Sequence, residues 1–255
     1  MFDTHCHLSV EDFKYDILDV VHRAQDAGVE NILCVGLDAV DSLKCAEIAH
    51  RFDLLFTAGI HPHEALNYKA KDVETIAALC SDVKCCAIGE IGLDYKPGYT
   101  PRQPQIILLN AMLELAVEKQ KPVVLHNRMA GKDLLEAVDR FNLVRKGVFH
   151  CFSEDLTFAE QVIARGFYIS FTGNVTHPKS RTLEIAAQIP LGSLLVETDA
   201  PYQTPQPHHG RRNEPAYLVH TLESLAHRCS LDIDELTRLT VKNSMHLFGA
   251  DNFNK

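Results

Sequence analysis

No run in this sequence is apolar for long enough to cross a bilayer, which takes about 20 consecutive apolar residues in a helix. The N-terminal Met1-Phe2-Asp3 has no basic segment leading into an apolar one, so nothing reads as a secretory signal, and the expected location is the cytoplasm. Positive charge is scarce: 25 Lys and Arg against 34 Asp and Glu leave a net charge of −9. That balance disfavours extensive non-specific wrapping of duplex DNA by counterion release, while leaving room for a few local cations that hold a phosphate chain beside bound metal. The 8 cysteines contain no C-x-x-C pair and read as buried free thiols rather than a disulfide framework. No G-x-G-x-x-G follows an early strand, which disfavours an open dinucleotide-binding sheet. Internal repeats, low-complexity tracts and Pro/Gly/Ser linkers are absent, and nothing marks a membrane association or a stable protein partner.

What is present is an alternation of short β-branched runs with longer helix-period segments. Strands are predicted over residues 2–8, 31–35, 54–59, 85–89, 123–126, 147–151, 168–171 and 194–197. A helix is expected after each. The clearest spans 108–117, where Leu108, Leu109, Met112, Leu115 and Ala116 share a face. Another follows Pro215, which suits a first helical turn because its missing N–H is not needed there. A last helix is expected over 233–247. Eight β/α units in 255 residues match the size of one (β/α)8 TIM barrel, so a single α/β domain spanning 1–255 is predicted.

Catalytic groups in such a barrel gather at the C-terminal ends of the strands. Those ends here carry most of the informative histidines. The first reads Asp3-Thr4-His5-Cys6-His7; a period of two puts His5 and His7 on one side and Cys6 on the other. The third ends His61-Pro62-His63, the fourth Glu90-Ile91-Gly92-Leu93-Asp94, the fifth His126-Asn127-Arg128, the sixth His150-Cys151. The eighth ends Glu197-Thr198-Asp199. Imidazoles and carboxylates in this mixture suit zinc, manganese or iron better than the oxygen-rich cages that magnesium and calcium prefer. His5, His7 and Asp199 are expected to hold one ion and His126 with His150 a second, with Glu90 placed to bridge them. Such a pair generates a nucleophile and polarises an electrophilic oxygen, and Asp199 is positioned to take the proton of the attacking water.

The segments DTHCHL, AGIHPHEA, AIGEIGLDY, VVLHNRMA, GVFHCFS, FTGNVT, LLVETDAPY and RRNEPAYL, in this order along nearly the whole chain, resemble the TatD family of metal-dependent deoxyribonucleases within the amidohydrolase superfamily. The resemblance implies a distorted barrel with two divalent ions (zinc, manganese or magnesium) and the ligands His5, His7, Glu90, His126, His150 and Asp199. Where other superfamily members bridge their metals with a carbamylated lysine, the strand-four end here carries Glu90, and Lys121 precedes strand five at the opposite end. The implied activity is phosphodiester cleavage of DNA as a 3′–5′ exonuclease on single strands, with Asp199, Glu90 and His61 as the catalytic groups. His61, His63, Arg128, Arg211, Arg212 and Asn213 are the expected substrate contacts, Asp94 and Glu197 the residues that orient ligands, and Tyr95, Phe152 and Tyr202 the candidates for stacking bases. Two other readings fit the same metals: an ester or amide hydrolase such as an aminoacyl-tRNA deacylase, and a metal-bound scaffold that binds nucleic acid without cleaving it. The chain departs from the family pattern at Glu154 and Asp155, in the proline-rich segment bearing Pro97, Pro101 and Pro104, and at Gln203.

Overall fold

The β-branched runs form strands and the helix-period segments form helices in a computed structural model, which describes residues 1–249. The strands are β1 (Phe2–Cys6), β2 (Asn31–Val35), β3 (Leu55–Ala58), β4 (Cys85–Asp94), β5 (Val123–Arg128), β6 (Gly147–Phe149), β7 (Tyr168–Phe171) and β8 (Leu194–Val196). Between them run α1 (Ile17–Asp26), α2 (Ala39–Phe52), α3 (Ala70–Leu79), α4 (Arg102–Lys119), α5 (Gly131–Asp139), α6 (Leu156–Ala164) and α7 (Arg181–Ala186), with α8 (Leu218–Cys229) and α9 (Ile233–Phe248) closing the chain. The parallel strands follow one another in sequence order within one sheet, which is the expected (β/α)8 barrel. No helix among the described residues is long and apolar enough to cross a membrane.

The helices start and stop where side chains satisfy their loose backbone groups. Asp38 caps α2 by accepting from Asp41 N at 2.7 Å, and Asp232 caps α9 by accepting from the N–H groups of Asp234 and Glu235. Gly249 ends α9 in the left-handed conformation. Asp155, one of the departures from the family pattern, accepts from Phe158 N at 2.8 Å and is the N-cap of α6. Pro215 opens a short 3₁₀ turn, Pro215–Tyr217, that feeds α8.

The chain divides into two compact units. The unit Val35–His150 carries β3 to β6 in parallel register, with Ala58 opposite Ile88, Gly92 opposite His126 and Leu125 opposite Phe149. Here β4 runs to Asp94, five residues past the Gly89 end that periodicity alone predicts, because β5 pairs with it to the last residue, Asp94 against Arg128. Its register slips between Ile88 and Ile91. That bulge adds a residue beside Glu90 and re-aims its side chain relative to a regular strand. Gly92 follows at φ +145°, and a Cβ there would lie 2.0 Å from the His126 carbonyl oxygen, so only glycine lets β4 pass this close to β5.

The other unit, Met1–Cys34 together with the chain from Cys151 on, carries β7, β8, β1 and β2. The strands β7 and β8 pair along Ile169–Leu194 to Phe171–Val196, and β1 pairs with β2. Beyond the end of β8 the chain stays against β1: Asp199 N donates to His5 O and His7 N to Ala200 O, each at 2.8 Å. The buried Phe2, Leu33, Phe171, Leu222 and Leu236 form much of this unit's core. Burying side chains of this size stabilises the fold by roughly 1.5–3 kcal/mol each.

Candidate metal centre

Every residue of β1 is buried, and the alternation of the strand sorts its side chains as expected. Cys6 turns its thiol toward Ala200 O, 3.7 Å away, while the Nε2 atoms of His5 and His7 approach to 3.2 Å. Asp199 Oδ1 completes a triangle, 3.4 Å from His7 Nε2 and 3.9 Å from His5 Nε2. Donors about 2.0–2.1 Å from a tetrahedral ion lie roughly 3.3 Å apart, so this triangle has the size of one face of a coordination shell. Two facing imidazole nitrogens cannot both be protonated without repulsion; a cation satisfies both lone pairs together with the carboxylate. Asp199 itself sits at φ 56°, a conformation a non-glycine residue keeps only where its surroundings enforce it.

Beneath this triangle lie groups that hold it in place. Asp3 accepts from Thr198 N at 2.8 Å and His5 N at 3.3 Å, and also from the Thr198 hydroxyl. Burial pushes its carboxyl up to about 7, against those hydrogen bonds and with Glu197 adding to the rise. Glu197 accepts from the Ser170 hydroxyl and, at 2.6 Å, from the N–H of Cys151, the residue directly after His150. Glu197 thus braces the backbone at Cys151 and the hydroxyl of Ser170. Asp3 and Thr198 were not singled out by the sequence, although Asp3 stands two residues before His5, as Glu197 stands two before Asp199.

In the unit Val35–His150 three imidazoles converge on one oxygen. Glu90 Oε1 lies 2.8 Å from His126 Nδ1, 2.9 Å from His150 Nε2 and 3.5 Å from His61 Nε2. His126 Nδ1 and His150 Nε2 are 3.4 Å apart. Burial alone would raise the Glu90 carboxyl, but His150, His61 and His126 outweigh it and hold it well below the usual carboxylate range. The remaining nitrogen of His126, Nε2, is buried and makes no hydrogen bond; it lies 3.4 Å from Asp94 Oδ2. Asp94 also accepts from His63 Nε2 and from Lys96 N, each at 2.9 Å. Despite its burial these partners, with His126, lower its carboxyl below the ordinary range. Asp94 thus lies against two histidines at once, hydrogen-bonded to His63 and beside His126.

His61 is of another kind. Burial pulls its pKa down to about 4, and its Nδ1 accepts from His63 N at 3.2 Å. The ring is therefore neutral at pH 7 with its proton on Nε2, the nitrogen that faces Glu90.

Nitrogen and oxygen donors at these spacings, with carboxylates behind the rings, fit divalent transition-type ions. A family model described as TatD-related DNase matches residues 2–249. The chain belongs to the TatD family. It is 34% identical over 251 residues to YabD, an uncharacterized metal-dependent hydrolase of Bacillus subtilis, covering 97% of this chain and 98% of that protein. It is 35% identical over 257 residues to the 3′–5′ ssDNA/RNA exonuclease TatD of Citrobacter rodentium, with 98% of each covered. The crystal structure of YJJV, a TatD homolog from Escherichia coli, matches it with a TM-score of 0.91 at 31% identity over 98% of both chains. Like YabD, the protein is a metal-dependent hydrolase.

The expected substrate contacts differ in how far the fold uses them. Arg128 is exposed at the end of β5, in register with Asp94. Arg211 is exposed on the loop after β8. Arg212 instead donates to Asp16, at 2.9 Å to Oδ1, and lies over the Phe13 ring at 4.6 Å, so its charge is matched within the fold. Asn213 is wholly buried, and its amide donates to Thr198 O at 2.8 Å and Tyr202 O at 2.6 Å; it shapes the loop that carries Asp199.

Of the candidate stacking residues, Phe152 is buried against Phe158 and Phe171, and Tyr95 donates its hydroxyl to Asp133 at 2.6 Å. Tyr202 is open, 54% exposed, with its ring 6.0 Å from that of His7. Tyr99, which the sequence did not single out, stacks on His63 with centroids 4.1 Å apart. The proline-framed segment around it was the only sign.

Proposed function

We propose that this TatD-family enzyme hydrolyses phosphodiester bonds of single-stranded DNA from the 3′ end, using two divalent ions. His5, His7 and Asp199 would hold one ion, and Glu90, His126 and His150 the other. The observation that carries this reading is the pair of donor triangles, 3.2, 3.4 and 3.9 Å on one side and 2.8, 2.9 and 3.4 Å on the other. Each has the dimensions of a coordination face. The relative in Citrobacter rodentium, a 3′–5′ ssDNA/RNA exonuclease, supports the choice of nucleic acid as substrate.

Ions bound there would lower the pKa of a water and polarise a phosphoryl oxygen. The rest falls to the chain. Asp199 takes the proton of the attacking water as its carboxylate. Neutral His61 donates its Nε2 proton as a hydrogen bond to a phosphate oxygen, without adding a charge that would repel the ions. Asp94 keeps His126 and His63 in place, and Arg128 pairs with the incoming phosphate.

The test is a matrix of metal-stripped protein reloaded with zinc, manganese or magnesium singly, on 5′-labelled single strands of DNA and RNA. The expected result is a ladder shortening from the 3′ end with at least one ion, and loss of at least about a hundredfold in Asp199→Asn. Cleavage of small carboxylic esters with no attack on any phosphodiester would overturn the reading, as would near-normal nuclease activity in Asp199→Asn.

A further inference from the structure

The segment between β4 and α4 departs from the family pattern by its prolines, and it is built with unusual care for a surface loop. Gln105, on the first turn of α4 and wholly buried, pins it from beneath: its amide donates to Asp94 O at 2.7 Å and Thr100 O at 2.6 Å, and its oxygen accepts from Asp94 N at 2.7 Å. Thr100 Oγ1 reaches across to His63 O at 2.8 Å. Pro97 and Pro101 stiffen the stretch between these anchors. The loop's frame thus serves to hold one side chain, Tyr99, flat against the His63 ring at an interplanar angle of 18°.

That stack is fixed at one end and open at the other. His63 is held by Asp94 Oδ2, the same atom that lies 3.4 Å from His126 Nε2. Tyr99 remains 44% exposed, and the Lys96 ammonium lies 5.5 Å from its ring centroid. A tyrosine whose only task was to cover His63 would need neither the pinned loop nor a cation beside it. An exposed ring with a neighbouring lysine matches what single-stranded nucleic acid asks of a protein: a π-face for a base and a positive charge for the phosphate joined to it.

We propose that Tyr99 on His63 is a nucleobase subsite, which takes the base of the nucleotide at the scissile bond while Lys96 moves from the ring to that nucleotide's phosphate. This rests on the phosphodiesterase reading above, and it goes further by assigning where the base is held. Because any base has a π-face, the subsite is tolerant of sequence and selective for the presence of a base.

The test compares deoxyadenosine 5′-monophosphate with 2-deoxyribose 5-phosphate, the same molecule without its base, as ligands of the metal-loaded protein. The wild type is expected to bind the nucleotide about tenfold more tightly than the sugar phosphate. Tyr99→Ala should erase that difference and leave sugar phosphate binding unchanged, and Tyr99→Phe should restore it. In turnover, Tyr99→Ala should raise KM on single strands about tenfold with kcat within twofold. If the wild type and Tyr99→Ala discriminate equally between the two ligands, the subsite is wrong. If the wild type discriminates through Tyr99 but cleaves no phosphodiester, the subsite stands and the nuclease reading alone falls.

Discussion

His61 and His126 sit within contact of the same carboxylate and are pushed in opposite directions. Burial dominates at His61 and lowers it to about 4; at His126 burial is outweighed by the neighbouring carboxylates of Asp94 and Glu90, which raise it. The difference is that His126 touches two acids and His61 one. For His61 the consequence is a pH dependence of folding. Its pKa falls from an unfolded value near 6.5 to about 4, so its contribution is present above pH 6.5 and lost as pH falls toward 4. In metal-free protein, His61→Gln should remove up to about 3 kcal/mol of the stability lost over that window, read from urea unfolding at a series of pH values. Asp94→Asn addresses the partner residue. It keeps the shape but removes the charge behind His126 and His63, and zinc affinity measured by competitive titration should fall about 10- to 100-fold. An unchanged affinity would mean that His126 does not need Asp94 to present its ring.

At the scale of elements, β4 is the strand on which the site turns. Its bulge between Ile88 and Ile91 and the glycine at 92 are both required for β4 to lie against β5 with Glu90 and His126 in contact. Gly92→Ala would place a Cβ 2.0 Å from the His126 carbonyl, in a conformation that alanine resists. A loss of about 3 kcal/mol or more is expected from strain and overpacking together, with metal binding lost alongside. Denaturant unfolding and metal content of the purified variant are the two readouts. A variant that retained its metal would show that β5 can retreat without moving His126.

For the molecule as a whole, bound ions and folding are linked. Ligands that bind only the folded chain stabilise it by an amount that grows with occupancy, about 2.7 kcal/mol for one ion at a hundred times its Kd. Removing metal with a chelator should therefore lower the Tm by several degrees, and adding zinc or manganese back should restore it. His126→Ala and Asp199→Asn should each blunt that response. A Tm indifferent to the chelator in the wild type would argue that neither donor triangle holds an ion.

Much of this was written into local sequence. Strand and helix periods are properties of neighbouring residues, so β2 and β7 appear with the boundaries that periodicity predicts, and α9 differs by one residue at its end. The H-x-H spacing of His5 and His7 determined by itself that two rings share a face, because a strand alternates whatever it packs against. Other features belong to tertiary structure alone. That Arg212 is matched by Asp16, that Asn213 serves the backbone of Thr198 and Tyr202, that Asp3 braces Thr198 and that Tyr99 lies on His63 all depend on residues 11 to 196 positions apart. No period reports such partners. Which polar side chain is left open to a substrate, and which is used up inside the fold, is settled only when distant segments come within hydrogen-bonding distance.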